Sequence, residues 1–105
     1  MLDEIKELLG IEGIEKDKLL NQIINVVSKR ILTYVGIQLF PADLEWILIE
    51  ITCVRYNMLG SEGIHSEQNE GIKYIYIDNL LDPYREYLDA YISDHGLRRK
   101  GFKML

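Results

Sequence analysis

The chain has 105 residues, of which 48% are hydrophobic and 28% charged, so we expect a single globular domain and no disordered chain. Its net charge of −5 argues against a protein that binds nucleic acid through its general surface. The single cysteine, Cys53, excludes an intrachain disulfide, and the sequence shows neither a signal-peptide pattern nor an apolar run near the roughly 20 residues that span a bilayer.

The first part of the chain contains two helical patterns that each end at a glycine. Apolar residues at positions 2, 5, 8 and 9 predict a short amphipathic helix that is broken at Gly10. From Asp17 to Val35, apolar residues recur at helical spacing and predict a helix of about five turns. Asp17 is the predicted N-cap of this helix, and Gly36 is its predicted stop.

A third helix is predicted to start with Pro41 at its first position and to end at Gly60. Its apolar residues surround nearly the whole cylinder, because Trp46 and Ile49 lie outside the main stripe. Such a helix either sits at the centre of a bundle or faces a partner on its second side.

A polar loop over residues 61–71 is followed by a run with β-type character at residues 72–77. A single strand has no obvious partner in this sequence, and an unpaired strand edge invites pairing with another chain. The alternative is a hairpin with the segment around Ile64. We predict that this region contacts a neighbouring subunit through Ile64, Ile72, Tyr74, Ile75, Tyr76 and Ile77.

The last helix is predicted to start at Asp82 and Pro83, as N-cap and first helical residue, and to end at Gly96. Cations and apolar residues then alternate in a tail over residues 97–105, which leaves the rest of the chain more acidic than the whole. The tail is either a solvated terminus or a peptide that docks to a partner protein. The predicted docking residues are Leu97, Arg98, Arg99, Lys100, Phe102, Lys103 and Leu105.

No pattern in the sequence supports catalysis. Neither His65 nor His95 has a nucleophile at a recognised motif spacing. The acidic residues around His65 match no known metal-binding cluster, so a solvated loop is the simpler interpretation. We therefore predict that the protein is not an enzyme and needs no metal or other cofactor.

Together these patterns predict a mainly α protein, a small bundle of about four helices with an extended loop and one short β-strand or hairpin. Residues 1–96 are predicted to form one domain, and residues 97–105 a basic C-terminal tail.

Several segments carry a resemblance to a known family. They are the helix end RYNMLG at residues 55–60, the loop SEGIHSE at 61–67, Gly71 with the run that follows it, the DPY helix start at 82–84 and the basic tail. In these segments the chain resembles the phage head–tail connector proteins, also called adaptor or head-completion proteins.

The resemblance implies a structural subunit of a phage or prophage. Such subunits assemble as a ring, typically dodecameric, beneath the portal protein, and they lengthen the DNA channel. The ring docks the next connector, a stopper or a tail protein, and DNA only passes through it. The implied location is the head–tail interface of the virion, after assembly in the host cytoplasm.

Two other functions remain open from the sequence. One is a small DNA-associated packaging or regulatory factor that uses the basic tail. The other is a generic helical interaction domain. A DNA-reading helix needs basic residues on its exposed face, and the third helix offers Glu45, Glu50 and a single arginine, Arg55.

Overall fold

The computed structural model describes residues 1–62 and 80–97. These residues form four α-helices and no strand: α1 (Leu2–Leu9), α2 (Asp17–Val35), α3 (Glu45–Glu62) and α4 (Arg85–Asp94). The prediction of a mainly α protein with about four helices is confirmed. The predicted strand or hairpin finds no support in the described residues, because residues 72–77 and most of the loop before them lie outside those residues.

The first two helices end where the sequence predicts. Gly10 (φ 71°) and Gly36 (φ 88°) adopt the left-handed conformation, in which a side chain would be strained. The Gly36 amide donates a hydrogen bond to the Leu32 carbonyl at 2.7 Å, which satisfies one of the free carbonyls at the end of α2.

The start of α2 differs from the prediction. Lys16 occupies the cap position, and Asp17 is the first helical residue, so the predicted N-cap role of Asp17 is wrong. The Asp17 carboxylate instead pairs with Lys6 on α1, whose Nζ lies 2.8 Å from Oδ1. Lys6 also donates to the Gly13 carbonyl. The Lys6 side chain therefore ties α1 to the start of α2.

Both predicted ends of the third helix need correction. Pro41 is extended (φ −81°, ψ 148°) and precedes a 3₁₀ turn at Ala42–Leu44, after which α3 begins at Glu45. At its other end α3 continues through Gly60 to Glu62. A glycine inside a helix costs about 1 kcal/mol relative to alanine, which lowers stability but does not by itself end the helix.

The last helix also starts through a 3₁₀ turn. Asp82–Tyr84 form this turn, with Pro83 near its first position, and α4 follows at Arg85. The predicted start at Asp82 is therefore the start of the turn and not of the α-helix. The predicted stop is confirmed, because Gly96 has a positive φ of 66° just beyond the end of α4.

The main core lies between α2, α3 and α4, with Ile5 of α1 buried separately. Helix α2 contacts the three other helices, whereas α3 contacts α1 and α2 and reaches Tyr84 through Trp46 and Glu50. The buried residues of the main core are Ile23, Val27, Ile31, Val35, Leu44, Ile47, Leu48, Ile51, Leu81 and Leu88.

Two polar residues lie on the buried side of α3 where the sequence suggests apolar ones. Thr52 is fully buried and Arg55 is 3% exposed. In contrast, Cys53 is only partly buried and Val54 is exposed. The buried stripe thus passes through Thr52 and Arg55, and it leaves part of the apolar surface of α3 outside the core.

Candidate interaction surface

The second side of α3 carries exposed apolar surface. Trp46 is 41% exposed and Val54 is 42% exposed, and Glu50 lies between them on the same side of the helix because the spacing is four residues. The sequence suggests two positions for this helix, at the centre of the bundle or facing a partner on a second side. In the structure α3 buries one side in the core, and Trp46 on its second side stays exposed.

Trp46 is the centre of an aromatic cluster formed with Tyr84 and Tyr87. The Trp46 ring meets Tyr84 edge to face, at 5.8 Å between centroids and 69° between planes. It meets Tyr87 in the same way, at 5.1 Å and 88°. Each such pair contributes about 0.5–1.5 kcal/mol beyond the burial of its area. The rings are therefore held in fixed positions although Tyr87 is 56% exposed.

A hydrogen bond links the aromatic cluster to α3 a second time. The Tyr84 hydroxyl donates to Glu50 Oε1 at 2.6 Å. Burial, followed by this hydrogen bond and the negative charge of Glu50, raises the pKa of Tyr84 to about 12. Tyr84 therefore stays protonated at neutral pH and acts as a permanent donor to the carboxylate.

Helix α4 is attached to α2 by a similar contact. The Tyr34 hydroxyl donates to Asp89 Oδ1 at 2.7 Å, and the Arg85 guanidinium lies 5.3 Å from the centroid of the Tyr34 ring. Arg85 Nε also lies 2.6 Å from Asp82 Oδ1, and this bond is the main cause of a raised Arg85 pKa. Two tyrosines from different elements thus fix α4 through carboxylates.

The two segments that form the aromatic cluster are acidic. Residues 41–54 contain no lysine or arginine, and residues 80–94 contain only Arg85, which is paired with Asp82. We use the name acidic–aromatic face for the aromatic cluster together with Glu50, which accepts a bond from Tyr84, and with the exposed carboxylates next in sequence to Trp46 and Tyr87. Its residues are Trp46, Tyr84, Tyr87, Glu45, Glu50 and Glu86.

The described residues offer little that resembles a catalytic or metal site. The pKa of Cys53 is raised, first by burial and then by the charge of Glu50, so its thiol is protonated and a weak nucleophile at neutral pH. His95 stacks on Tyr91 at 3.9 Å between ring centroids. No group of three or more histidine, cysteine, aspartate or glutamate residues within 1–62 and 80–97 is arranged to hold a metal ion.

Most of the predicted site residues lie outside the described part of the chain. This applies to Ile64, Ile72, Tyr74, Ile75, Tyr76 and Ile77, and to the tail residues Arg98, Arg99, Lys100, Phe102, Lys103 and Leu105. Leu97 is described: it packs against the core, and its amide donates to the Ile92 carbonyl at 2.9 Å. The predicted subunit contact and tail docking therefore stay predictions.

The sequence indicates the separate parts of the acidic–aromatic face but does not predict that they contact one another. The excess of apolar residues around the third helix includes Trp46, and the predicted stripe of the last helix includes Tyr84 and Tyr87. Their meeting depends on how α4 crosses α3, which a single sequence does not reveal.

Comparison with known proteins gives one match. A family model described as phage gp6-like head-tail connector protein matches residues 1–91. Neither curated proteins nor solved structures gave a match. The matched range contains α1, α2, α3 and every residue of the acidic–aromatic face. Within the described residues, no helix is long and apolar enough to cross a membrane.

Proposed function

This chain belongs to the phage gp6-like head-tail connector protein family, and from that premise we propose that its copies form a ring beneath the portal protein of a phage capsid. In this proposal the ring is dodecameric, lengthens the DNA channel and docks the next connector, a stopper or a tail protein. Its place is the head–tail interface of the virion, and it is assembled in the host cytoplasm. The role is structural, with no catalytic step and no cofactor.

The family match over residues 1–91 carries the proposal. The exposed aromatic cluster supports it, because interfaces are enriched in tryptophan and tyrosine and these rings already have fixed positions before any partner arrives. The net charge of −5 also supports it, since like charge opposes the adhesion of DNA that passes through a channel.

We assign two regions to contacts between proteins. Residues 1–96 form the ring-building domain, in which Ile64 and the apolar residues of 72–77 contact the neighbouring subunit. Residues 97–105 form the docking tail. Both assignments rest on sequence chemistry, namely apolar and tyrosine side chains in the first region and alternating cations and apolar residues in the second.

The proposal is tested by the mass of the assembled protein and by its affinity for a portal protein. We expect sedimentation of the full chain to give a closed oligomer at high concentration, with rings visible by electron microscopy. We also expect this oligomer to bind the portal protein from the same phage or prophage genome. A chain that stays monomeric at every concentration and does not bind that portal would overturn the proposal.

A further inference from the structure

We propose that the acidic–aromatic face of one copy binds the basic C-terminal tail, residues 98–105, of a neighbouring copy. This inference rests on the proposed function, because it names two surfaces that meet in the ring. It names the neighbouring copy as the partner to which the docking tail binds, and it leaves the contacts of the ring with the portal and the next connector to other surfaces.

The acidic–aromatic face has the properties of a docking surface. Trp46 and Tyr87 are 41% and 56% exposed, although their rings pack edge to face at 5.1 Å between centroids. Rings that are fixed in advance lose little side-chain entropy when a partner covers them. Glu45 and Glu86, which are next in sequence to Trp46 and Tyr87, add exposed negative charge, and residues 41–54 and 80–94 contain no cation other than the paired Arg85.

The tail supplies the complementary chemistry. Its residues 98–105 contain four cations, no acid and the apolar residues Phe102, Met104 and Leu105. Arginine and lysine pair with carboxylates and also lie favourably over aromatic rings. Phe102 offers apolar area to the exposed edge of the cluster. Charge and apolar character thus match between the two surfaces.

The arrangement favours a second copy as the donor of the tail. The acidic face repels an identical face by like charge, so it is poorly suited to a symmetric dimer. The tail and the face are different surfaces, and pairing of two different surfaces between copies generates rings when the rotation closes.

Charge reversal in the full chain tests the contact. The face variant carries Glu45→Lys and Glu86→Lys, and it leaves Glu50 in place because Glu50 holds Tyr84. The tail variant carries Arg98→Glu, Arg99→Glu and Lys100→Glu. Each variant alone should need at least about tenfold more protein for half-assembly, since several charge pairs are lost or made repulsive.

Mixing the two variants is the decisive step. An intact tail then meets an intact face, and a reversed tail meets a reversed face, so assembly should return to within about threefold of the parent chain. Rescue by mixing requires that the tail crosses between copies. The inference is wrong if the variants assemble like the parent chain. It is also wrong if the mixture assembles no better than each variant alone, which is the result expected for a tail that binds the face of its own chain.

A matched control separates this effect from a change in net charge. Glu7→Lys with Glu12→Lys changes the charge by the same amount at exposed positions on α1 and in the loop after it. We expect this control variant to assemble at the concentration of the parent chain. An equal loss of assembly in the control would show a general effect of charge and would overturn the inference.

Trp46 provides an independent readout, since it is the only tryptophan of the chain. A synthetic peptide of residues 97–105, which contains no tryptophan, is added to the full-length tail variant, whose own tail cannot occupy the face. We expect a saturable shift of the emission to shorter wavelength, and binding at least about tenfold weaker when the cations of the peptide are replaced by glutamine. A peptide that leaves the emission unchanged would contradict the proposal.

Failure of the inference is distinguishable from failure of the proposed function. A ring that binds the portal and is insensitive to both reversals contradicts the tail contact only. A chain that forms no ring and does not bind the portal contradicts the connector proposal, even if the peptide still shifts the emission of Trp46.

Discussion

Thr52 is the residue in α3 whose environment is least expected from the sequence. It is fully buried, and its hydroxyl has no hydrogen-bond partner within residues 1–62 and 80–97. A buried polar group without a partner costs about 1–3 kcal/mol of desolvation. Thr52 therefore lowers the stability of the core unless a favourable interaction of its hydroxyl offsets this cost.

We expect Thr52→Val to raise the free energy of unfolding by about 1 kcal/mol, because valine keeps the branched shape and removes the unpaired hydroxyl. Urea denaturation followed by circular dichroism measures this change. Ile51→Val is the matched control in the neighbouring buried position, and it should lower stability by about 0.5–1.5 kcal/mol. A clear loss of stability in Thr52→Val would mean that the hydroxyl bonds a backbone carbonyl of the preceding turn.

Tyr84 gives a prediction for alkaline pH. Its pKa is raised from 10.0 to about 12, so the folded state holds the proton more tightly than the unfolded state does. The stabilisation is fully present below pH 10 and is lost as the pH rises through about 12. At neutral pH, Tyr84→Phe should cost about 1 kcal/mol through loss of the bond to Glu50.

Stability measured as a function of pH tests this expectation. Between pH 10 and about 12 the parent chain should lose stability relative to Tyr84→Phe, so the difference between them narrows. Tyr87→Phe is the control, because it keeps its ring in the same aromatic cluster. A constant difference across this interval would show that the Tyr84 hydroxyl is not the titrating group.

At the scale of elements, α1 is attached through one fully buried residue and through the side chain of Lys6. Ile5 is fully buried, and the Lys6–Asp17 pair joins α1 to the start of α2. Removal of a buried isoleucine side chain costs about 2–5 kcal/mol, whereas an exposed ion pair contributes about 0.2–1 kcal/mol. The Lys6 and Asp17 side chains are only 16% and 29% exposed, so we place their pair at the upper end of that range. Burial of Ile5 is therefore the main attachment of α1, and the ion pair mainly sets its position.

We expect Lys6→Ala to lower the free energy of unfolding by about 0.5–1 kcal/mol and Ile5→Ala by about 2–5 kcal/mol. The effect of Lys6→Ala should shrink in about 1 M NaCl, where charges are screened. Lys18→Ala, at an exposed position beside Asp17, is the matched control. An equal cost for Lys6→Ala and Ile5→Ala in urea denaturation would contradict this ranking.

The elements were predictable where a local signal decides them. The bounds of α1 and α2 follow from apolar spacing and from glycines that take a positive φ. The bounds of α3 were predicted less well, because Pro41 serves a 3₁₀ turn and Gly60 continues the helix. Both residues are compatible with more than one backbone state, and the surrounding packing selects between these states.

At the scale of the whole molecule, the acidic–aromatic face was not predictable. Trp46 belongs to α3 and Tyr87 to α4, and their contact depends on the packing of elements that are distant in the sequence. The buried stripe of α3 was also placed slightly wrong, because the sequence favours Cys53 and Val54 over Thr52 and Arg55 as core residues. Polarity alone does not tell a buried polar residue from an exposed one.

The acidic surface predicts weak interaction with nucleic acid. We expect the full chain to bind duplex DNA with a dissociation constant weaker than about 10⁻⁴ M at physiological salt, because its net charge of −5 opposes binding to phosphates. Fluorescence anisotropy with a labelled duplex measures this. Tighter binding that falls steeply with salt and is lost in the tail variant would favour the DNA-associated factor over the connector.

The bond between Tyr84 and Glu50 joins residues 34 positions apart, and the bond between Tyr34 and Asp89 spans 55 positions. Contacts between residues so far apart in the sequence carry a cost in loop-closure entropy. We therefore expect α4 to pack onto the molecule after α2 has paired with α3. During synthesis, α4 is also the last of the four helices to leave the ribosome. The platform shared by Trp46, Tyr84 and Tyr87 thus forms only after α4 has joined α2 and α3, and a chain that lacks α4 cannot recruit a sister copy through it.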